Sequence, residues 1–227
     1  VGGALQTGTR CVEVTLNGQD YTDGCAQFTS APMGALASLS PTSGPILGGT
    51  RLSLTGMRLA GGSDYRCKFV PPGGLAEGGE ATHEHLQAFF AEVLQVRATL
   101  DGAAGVGVTC ETPPVGLLPA VHSVSVTSNG QQYTNPVAFE AFAHPVVSAI
   151  TPSTGPLAGS TQVVLLGANF SGGSDYYCEF GGERVRAHWM AFSRINCTAP
   201  PSAALAGDAA LRLTLNGQQY VGAPAFG

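Results

Sequence analysis

The residues with chemistry to offer are five histidines, six cysteines, and an aspartate repeated in Gly-Gly-Ser-Asp-Tyr. The histidines are His83, His85, His122, His144 and His188, and only His83-Glu84-His85 is a local cluster. Two imidazoles at i and i+2 share one face of an extended strand, so weak metal binding is conceivable; a solvated loop is the plain alternative. Asp64 and Asp175 invite a calcium reading. Calcium wants about six to eight oxygens, however, and one carboxylate per repeat suits a turn better. The cysteines contain no Cys-x-x-Cys pair, which argues against a zinc knuckle. No Gly-x-Ser-x-Gly, phosphate loop or dinucleotide fingerprint stands between a strand and a helix. The expectation is a segment without catalytic residues, metal site or cofactor. The single tryptophan, Trp189, packs in a core or covers a sheet edge, or, if exposed, marks a sugar or protein contact.

The elements around these residues are short and extended. Gly (32) and Pro (15) mark frequent turns, while 44% apolar residues is too many for a disordered chain. Only 11% of residues are charged, the net charge is −5, and lysine occurs once, as Lys68. Such a balance lacks the basic patch that nucleic acid requires, and only Arg184 and Arg186 approach one. No apolar run of about 20 residues is present to span a membrane. The chain opens inside a repeat, which suggests a segment of a longer protein.

Internal repetition organises the rest. Val12 to Phe28, Val124 to Phe139 and Leu211 to Phe226 each alternate into Asn-Gly and then run on through a tyrosine to a phenylalanine. Asn-Gly between alternating segments signals a β-hairpin in which both turn residues take positive φ. Leu39 to Phe69 and Ile150 to Phe180 share a second pattern: Pro-x-x-Gly-Pro, a Gly-Gly or Gly-Ser pair, a strand (Arg51 to Leu54; Gln162 to Leu166), Gly-Gly-Ser-Asp, then an aromatic-Cys strand. Val108 to Pro114 and Ile195 to Pro201 share a third, Cys-x-x-Pro-Pro. Gly or Pro interrupts most helical windows, so the expected class is all-β, a series of sandwiches.

These motifs together resemble the IPT/TIG family, the immunoglobulin-like domains of plexins, Met-type receptors, fibrocystin-like proteins and Rel-type transcription factors. The resemblance covers nearly the whole chain and implies tandem β-sandwiches. Residues 1–34 read as the C-terminal hairpin of a truncated module, 35–143 as a complete module, and 144–227 as another. Short joints predict a semi-rigid rod. The middle module carries an insert at about 70–92, either a tolerated surface loop or a module-specific contact through His83, His85, Phe89 and Phe90, with a turn of helix expected over His85 to Val93.

Repeat equivalence places Cys67 and Cys178 on one strand position, and Cys110 and Cys197 on another, which pairs Cys67 with Cys110 and Cys178 with Cys197. Cys11 and Cys25 flank the Asn17-Gly18 turn and are expected almost opposite one another. Disulfides favour an oxidising compartment; free thiols in a cytosolic chain are the alternative. Two sequons, at Asn169 and Asn196, agree with N-linked glycans, with Asn169 the better placed.

The function expected is structural or adhesive. The chain would space and contact other protein chains, copies of itself included, in an extracellular, cell-surface or ciliary-surface filament. The Gly-Gly-Ser-Asp-Tyr-x-Cys-x-Phe form resembles fibrocystin-like and algal mastigoneme-type arrays. A plexin-like ligand-binding ectodomain is the first alternative. A Rel-type intracellular DNA-binding or dimerisation module is the second.

Overall fold

The computed structural model describes residues 7–72, 93–101, 106–116, 118–201, 207 and 209–227. Every regular element among them is a strand. The first two, β1 (Gly8–Val12) and β2 (Ala26–Ser30), form an exposed antiparallel hairpin.

The next eight strands form one sandwich: β3 (Ala35–Ser40), β4 (Ser43–Pro45), β5 (Arg51–Met57), β6 (Arg66–Val70), β7 (Leu94–Asp101), β8 (Gly107–Glu111), β9 (Ala120–Thr127) and β10 (Val137–Phe142). Their order is β3-β5-β8-β7-β6-β9-β10-β4. Strand β7 closes the sandwich by changing partner along its length. Leu94 to Arg97 pair with β6, and Ala98 to Asp101 pair with β8. One bent strand thereby belongs to both layers.

The second sandwich repeats the plan with β11 (Val146–Thr151), β12 (Gln162–Ala168), β13 (Tyr177–Phe180), β14 (Glu183–Ala191), β15 (Arg194–Thr198), β16 (Leu211–Thr214) and β17 (Tyr220–Gly222). Strand β14 changes partner as β7 does, from β13 to β15. Leu94 faces Phe69 where Glu183 faces Phe180, so the Gly181-Gly182 turn of the second sandwich stands where the insert departs in the first. His83, His85, Phe89 and Phe90, and most of the helical turn expected over His85 to Val93, lie outside the described residues.

Alternation decides which side chains go inward. On β5, Leu52 and Leu54 are fully buried between exposed Arg51, Ser53 and Thr55. They meet Phe69, Val108, Val124 and Phe139 in one core. Val163, Leu165, Phe170, Ile195, Leu211 and Leu213 build the other. Phe69 meets Phe139 edge-on, and Phe180 meets Phe226 in the same way, so the closing phenylalanine of each repeat is a core residue. Each fully buried side chain of this size contributes about 1.5–3 kcal/mol.

Three disulfides join Cys11 to Cys25, Cys67 to Cys110, and Cys178 to Cys197. The last two cross the core from one layer to the other: Cys67 lies on β6 and Cys110 on β8, Cys178 on β13 and Cys197 on β15. The first differs from the simple opposed pair expected. Cys11 faces Gln27 in the ladder, while Thr15 bridges Tyr21 nearer the turn. The second strand therefore carries extra residues around Gly24 and Cys25, and the disulfide spans that irregularity.

The Asn-Gly turns also depart from expectation. Only their glycines take positive φ (Gly18 74°, Gly130 75°, Gly217 76°). Each asparagine instead acts through its side chain. Asn17 Oδ1 accepts the amides of Gln19 and Asp20, Asn129 Oδ1 those of Gln131 and Gln132, and Asn216 Oδ1 those of Gln218 and Gln219. The side chain replaces the backbone bonds a tighter turn would make.

Candidate functional site

The most developed polar site among the described residues lies where the two sandwiches meet. The Gly-Gly-Ser-Asp-Tyr repeat is part of it. In the first sandwich, Ser63 and Asp64 amides donate to the Ser128 carbonyl, and Gly62 donates to the Tyr65 hydroxyl. In the second, the Asp175 amide donates to Leu215 and Gly173 donates to Tyr176. The motif therefore braces the base of the Asn-Gly turn. A side chain at Gly62 would strike Ser128, and one at Gly173 would strike Leu215 and Tyr176. Glycine is required there by contact, not by φ.

The aspartates do more than hold a turn. Asp64 pairs with Arg66 at 2.8 Å, and the hydrogen bond from that guanidinium holds the carboxyl below its ordinary range. Asp175 lies 3.6 Å from Arg184 and 3.7 Å from Arg186, and Arg184 stacks on Tyr177. The two arginines that came closest to a basic loop thus face a carboxylate and a ring. Burial pushes the Tyr176 phenol up.

The braced turn of the second sandwich, Asn216 to Gln219, inserts into the first. Asn216 Nδ2 donates to the Ser43 carbonyl and to Thr50 Oγ1, both at 3.3 Å. The Gln218 amide clamps the Arg51 backbone at both ends: its Oε1 accepts the Arg51 N–H, and its Nε2 donates to the Arg51 carbonyl, each at 2.9 Å. Gln219 donates to the Gly49 carbonyl at 2.6 Å and accepts from Thr50 Oγ1. The Ser43 hydroxyl donates to Ser174. Ser43, Thr50 and Asn216 are almost wholly buried by this contact. Buried polar groups are stable only when paired, so the joint is specific as well as closed.

The connecting chain is anchored too. Phe142, the last residue of β10, packs in the core of the second sandwich with Phe170 and Leu165. Its carbonyl accepts the Ile46 amide, and Asn169 Nδ2 donates to the His144 carbonyl at 3.0 Å. Gly172 backs onto Phe142 and Glu140.

The other sites expected from sequence are scattered. Asn169 sits just after β12 with φ 62°, half-buried against the connection. Asn196 lies on the central strand β15, its Nδ2 donating to Gln162. Trp189 is half exposed on β14, beside exposed Met190 and Phe192, and so is not a core residue. His122 is buried, with Nε2 donating to the Val115 carbonyl. Among the described residues no group of three His, Cys, Asp or Glu could hold a metal, and no helix is long and apolar enough to cross a membrane.

Sequence reasoning missed the joint. Its signal was the recurrence of a whole tetrapeptide, Asn-Gly-Gln-Gln, at 129–132 and 216–219. The fourth residue helps hold the turn, Gln132 and Gln219 accepting from the asparagine amides. The third does not, and Gln218 reaches the Arg51 backbone instead.

Among solved structures, the chain is similar to the plexin A4 extracellular region, with 17% identity over 86% of this chain and a TM-score of 0.51. It spans only 15% of that chain. It also matches SGBP-B of a xyloglucan utilization locus in Bacteroides uniformis, with 20% identity over 86% of this chain and 49% of that one, TM-score 0.32. The model of the IPT/TIG domain matches residues 36–141 and again residues 145–226. The chain belongs to the IPT/TIG domain family, as two successive domains.

Proposed function

We propose that the chain is a structural or adhesive segment of a large extracellular or cell-surface protein, in which docked IPT/TIG modules form a semi-rigid rod. One observation carries this: the turn at Asn216 to Gln219 is seated on Ser43 and Gly49 to Arg51, with Phe142 driven into the following core. A joint with buried, paired polar groups and an apolar anchor resists bending, whereas modules joined by a flexible linker tumble. Buried cross-core disulfides support an oxidising compartment. A filament of the cell or ciliary surface, with glycan on Asn169 and contacts to further protein chains, is the setting in which such a spacer acts. Residues 1–34 are then the closing hairpin of a preceding module. Trp189, with Met190 and Phe192, is one exposed apolar group open to a partner.

The test is mass spectrometry of the protein taken from its own cells, without reduction. Three disulfides and a glycan on Asn169 are expected. Reduced cysteines would overturn the extracellular assignment. The ectodomain of a receptor is the second reading, favoured by the fold likeness to the plexin A4 extracellular region. A membrane-spanning helix followed by a signalling domain in the full-length protein would select it.

A further inference from the structure

The joint has a free counterpart at the far end of the second module. Ser43, Gly44, Gly49, Thr50 and Arg51, which receive the turn, correspond by repeat to Thr154, Gly155, Ser160, Thr161 and Gln162. The two sets are built alike. A Cβ at Gly44 would strike Thr50 and the Phe139 ring; one at Gly155 would strike Thr161 and the Phe226 ring. The Gly49 amide donates to Thr112, and the Ser160 amide to Ala199. Residue 49 has φ 80° and residue 160 has φ 67°. In both modules the clamped residue lies past the end of its ladder. The final β3–β5 pair is Ser40 with Ser53, and the final β11–β12 pair is Thr151 with Val164. The backbone N–H and C=O of Gln162 therefore stand where those of Arg51 stand.

Occupancy differs. Ser43 and Thr50 are 1% and 0% exposed, whereas Thr154 is exposed and Thr161 is half-buried; the positions met through the backbone, Gly49 and Arg51 against Ser160 and Gln162, are exposed in both modules. The mating element is also repeated. Asn129 to Gln132 carry the same internal bonds as Asn216 to Gln219, yet Asn129, Gln131 and Gln132 are exposed.

We propose that Thr154 and Ser160 to Gln162 form a docking site for the Asn-Gly-Gln-Gln turn of another IPT/TIG module carried in tandem behind this one. The recognition is amide to backbone. A glutamine clamps the Gln162 N–H and C=O, the asparagine donates to Thr161 Oγ1 and the Thr154 carbonyl, and the last glutamine donates to the Ser160 carbonyl. The site rests on the spacer function above and gives it a rule for extension: each module offers the turn at one pole and the receiving edge at the other. Such a heterologous contact propagates in one direction. A second copy of this chain is a poorer occupant, because its free turn at 129–132 shares a cleft with the β1–β2 hairpin and Arg58 to Ser63, which narrows the approach of another chain.

The experiment extends the chain by appending a second copy of residues 141–227 after Gly227, so that Gly227 takes the place of Glu140. Amide hydrogen exchange is read at Arg51 and Gln162. The expected result is at least tenfold slower exchange at Gln162 in the extended chain than in the original, abolished when the appended copy carries Gln218→Ala. If Gln162 exchanges equally fast in both while Arg51 stays protected, the inner joint stands and this proposal falls. If Arg51 is also unprotected, the spacer function falls with it. Protection of Gln162 that grows with concentration in the original chain would show a second copy as the occupant and overturn the tandem source. Should the appended module not fold, a cyclised peptide of residues 211–222 is titrated into the original chain. Shifts of the Thr161 and Gln162 amide resonances that are absent with the Gln218→Ala peptide support the site; no shift overturns it.

Discussion

Replacing Gln218 by alanine tests the joint at its most defined contact. The side-chain amide makes two hydrogen bonds to the Arg51 backbone, each 2.9 Å long, and takes no part in holding its own turn. A net hydrogen bond is worth about 0.5–1.5 kcal/mol. Gln218 is exposed, so water competes and the lower half of that range applies to each bond. The pair then contributes about 1.5 kcal/mol, close to a tenfold change in an equilibrium constant at about 1.4 kcal/mol per decade. Gln218→Ala should therefore speed exchange of the Arg51 amide about tenfold while leaving the buried Leu213 amide of the same module unchanged. Gln131→Ala is the matched control. It occupies the same turn position in the first module, and no contact holds its side chain among the described residues, so Arg51 exchange should not move. Equal effects from the two substitutions, or none from Gln218→Ala, would refute the assignment of the joint's closure to this clamp.

Three other outcomes follow from the same geometry. Loss of the Cys67–Cys110 disulfide, whose partners are 43 residues apart, should lower the stability of its module by about 4 kcal/mol, and loss of Cys178–Cys197, 19 apart, by about 3 kcal/mol. Serine double substitutions followed by denaturant unfolding give both values. Gly155→Ala should destabilise the second module by about 1–3 kcal/mol in the same assay, because the new methyl meets Thr161 and the Phe226 ring. Alkali should weaken that module through Tyr176. Burial raises the folded-state pKa of its phenol above the unfolded value near pH 10, so the contribution is complete below about pH 10 and is lost as pH climbs through the folded value. Tyr176→Phe should flatten this alkaline decline, at the cost of the hydrogen bonds to Gly173 and Phe170.

Much of the fold was legible because β-structure writes its signals locally. Leu52 and Leu54 alternate with polar neighbours, Asn-Gly marks each hairpin, and Phe139 and Phe226 close equivalent repeats. Phe69 and Phe180, equivalent by repeat, also have equivalent ladder partners. The joint was less legible because its contacts link residues as far apart as 49 and 219 and use backbone groups. A carbonyl accepts a hydrogen bond whatever side chain stands beside it, so Gly49 and Arg51 leave no pattern. The sequence leaves Trp189 undecided between core and surface for a related reason. Its position on β14 follows the point where that strand leaves β13 for β15, and alternation alone does not say which face the new layer buries. The asparagine turns were recognised by the right residue pair through a different device, a side-chain acceptor in place of positive φ.

The central claim is that the two modules move as one body. Residual dipolar couplings of the backbone amides in weakly aligned solution measure this directly, since each module reports its own alignment. The account predicts one common alignment tensor for residues 35–143 and 144–227, equal in magnitude and in principal axes. Separate tensors, with that of one module reduced in magnitude, would mean that the joint opens in solution and would contradict it.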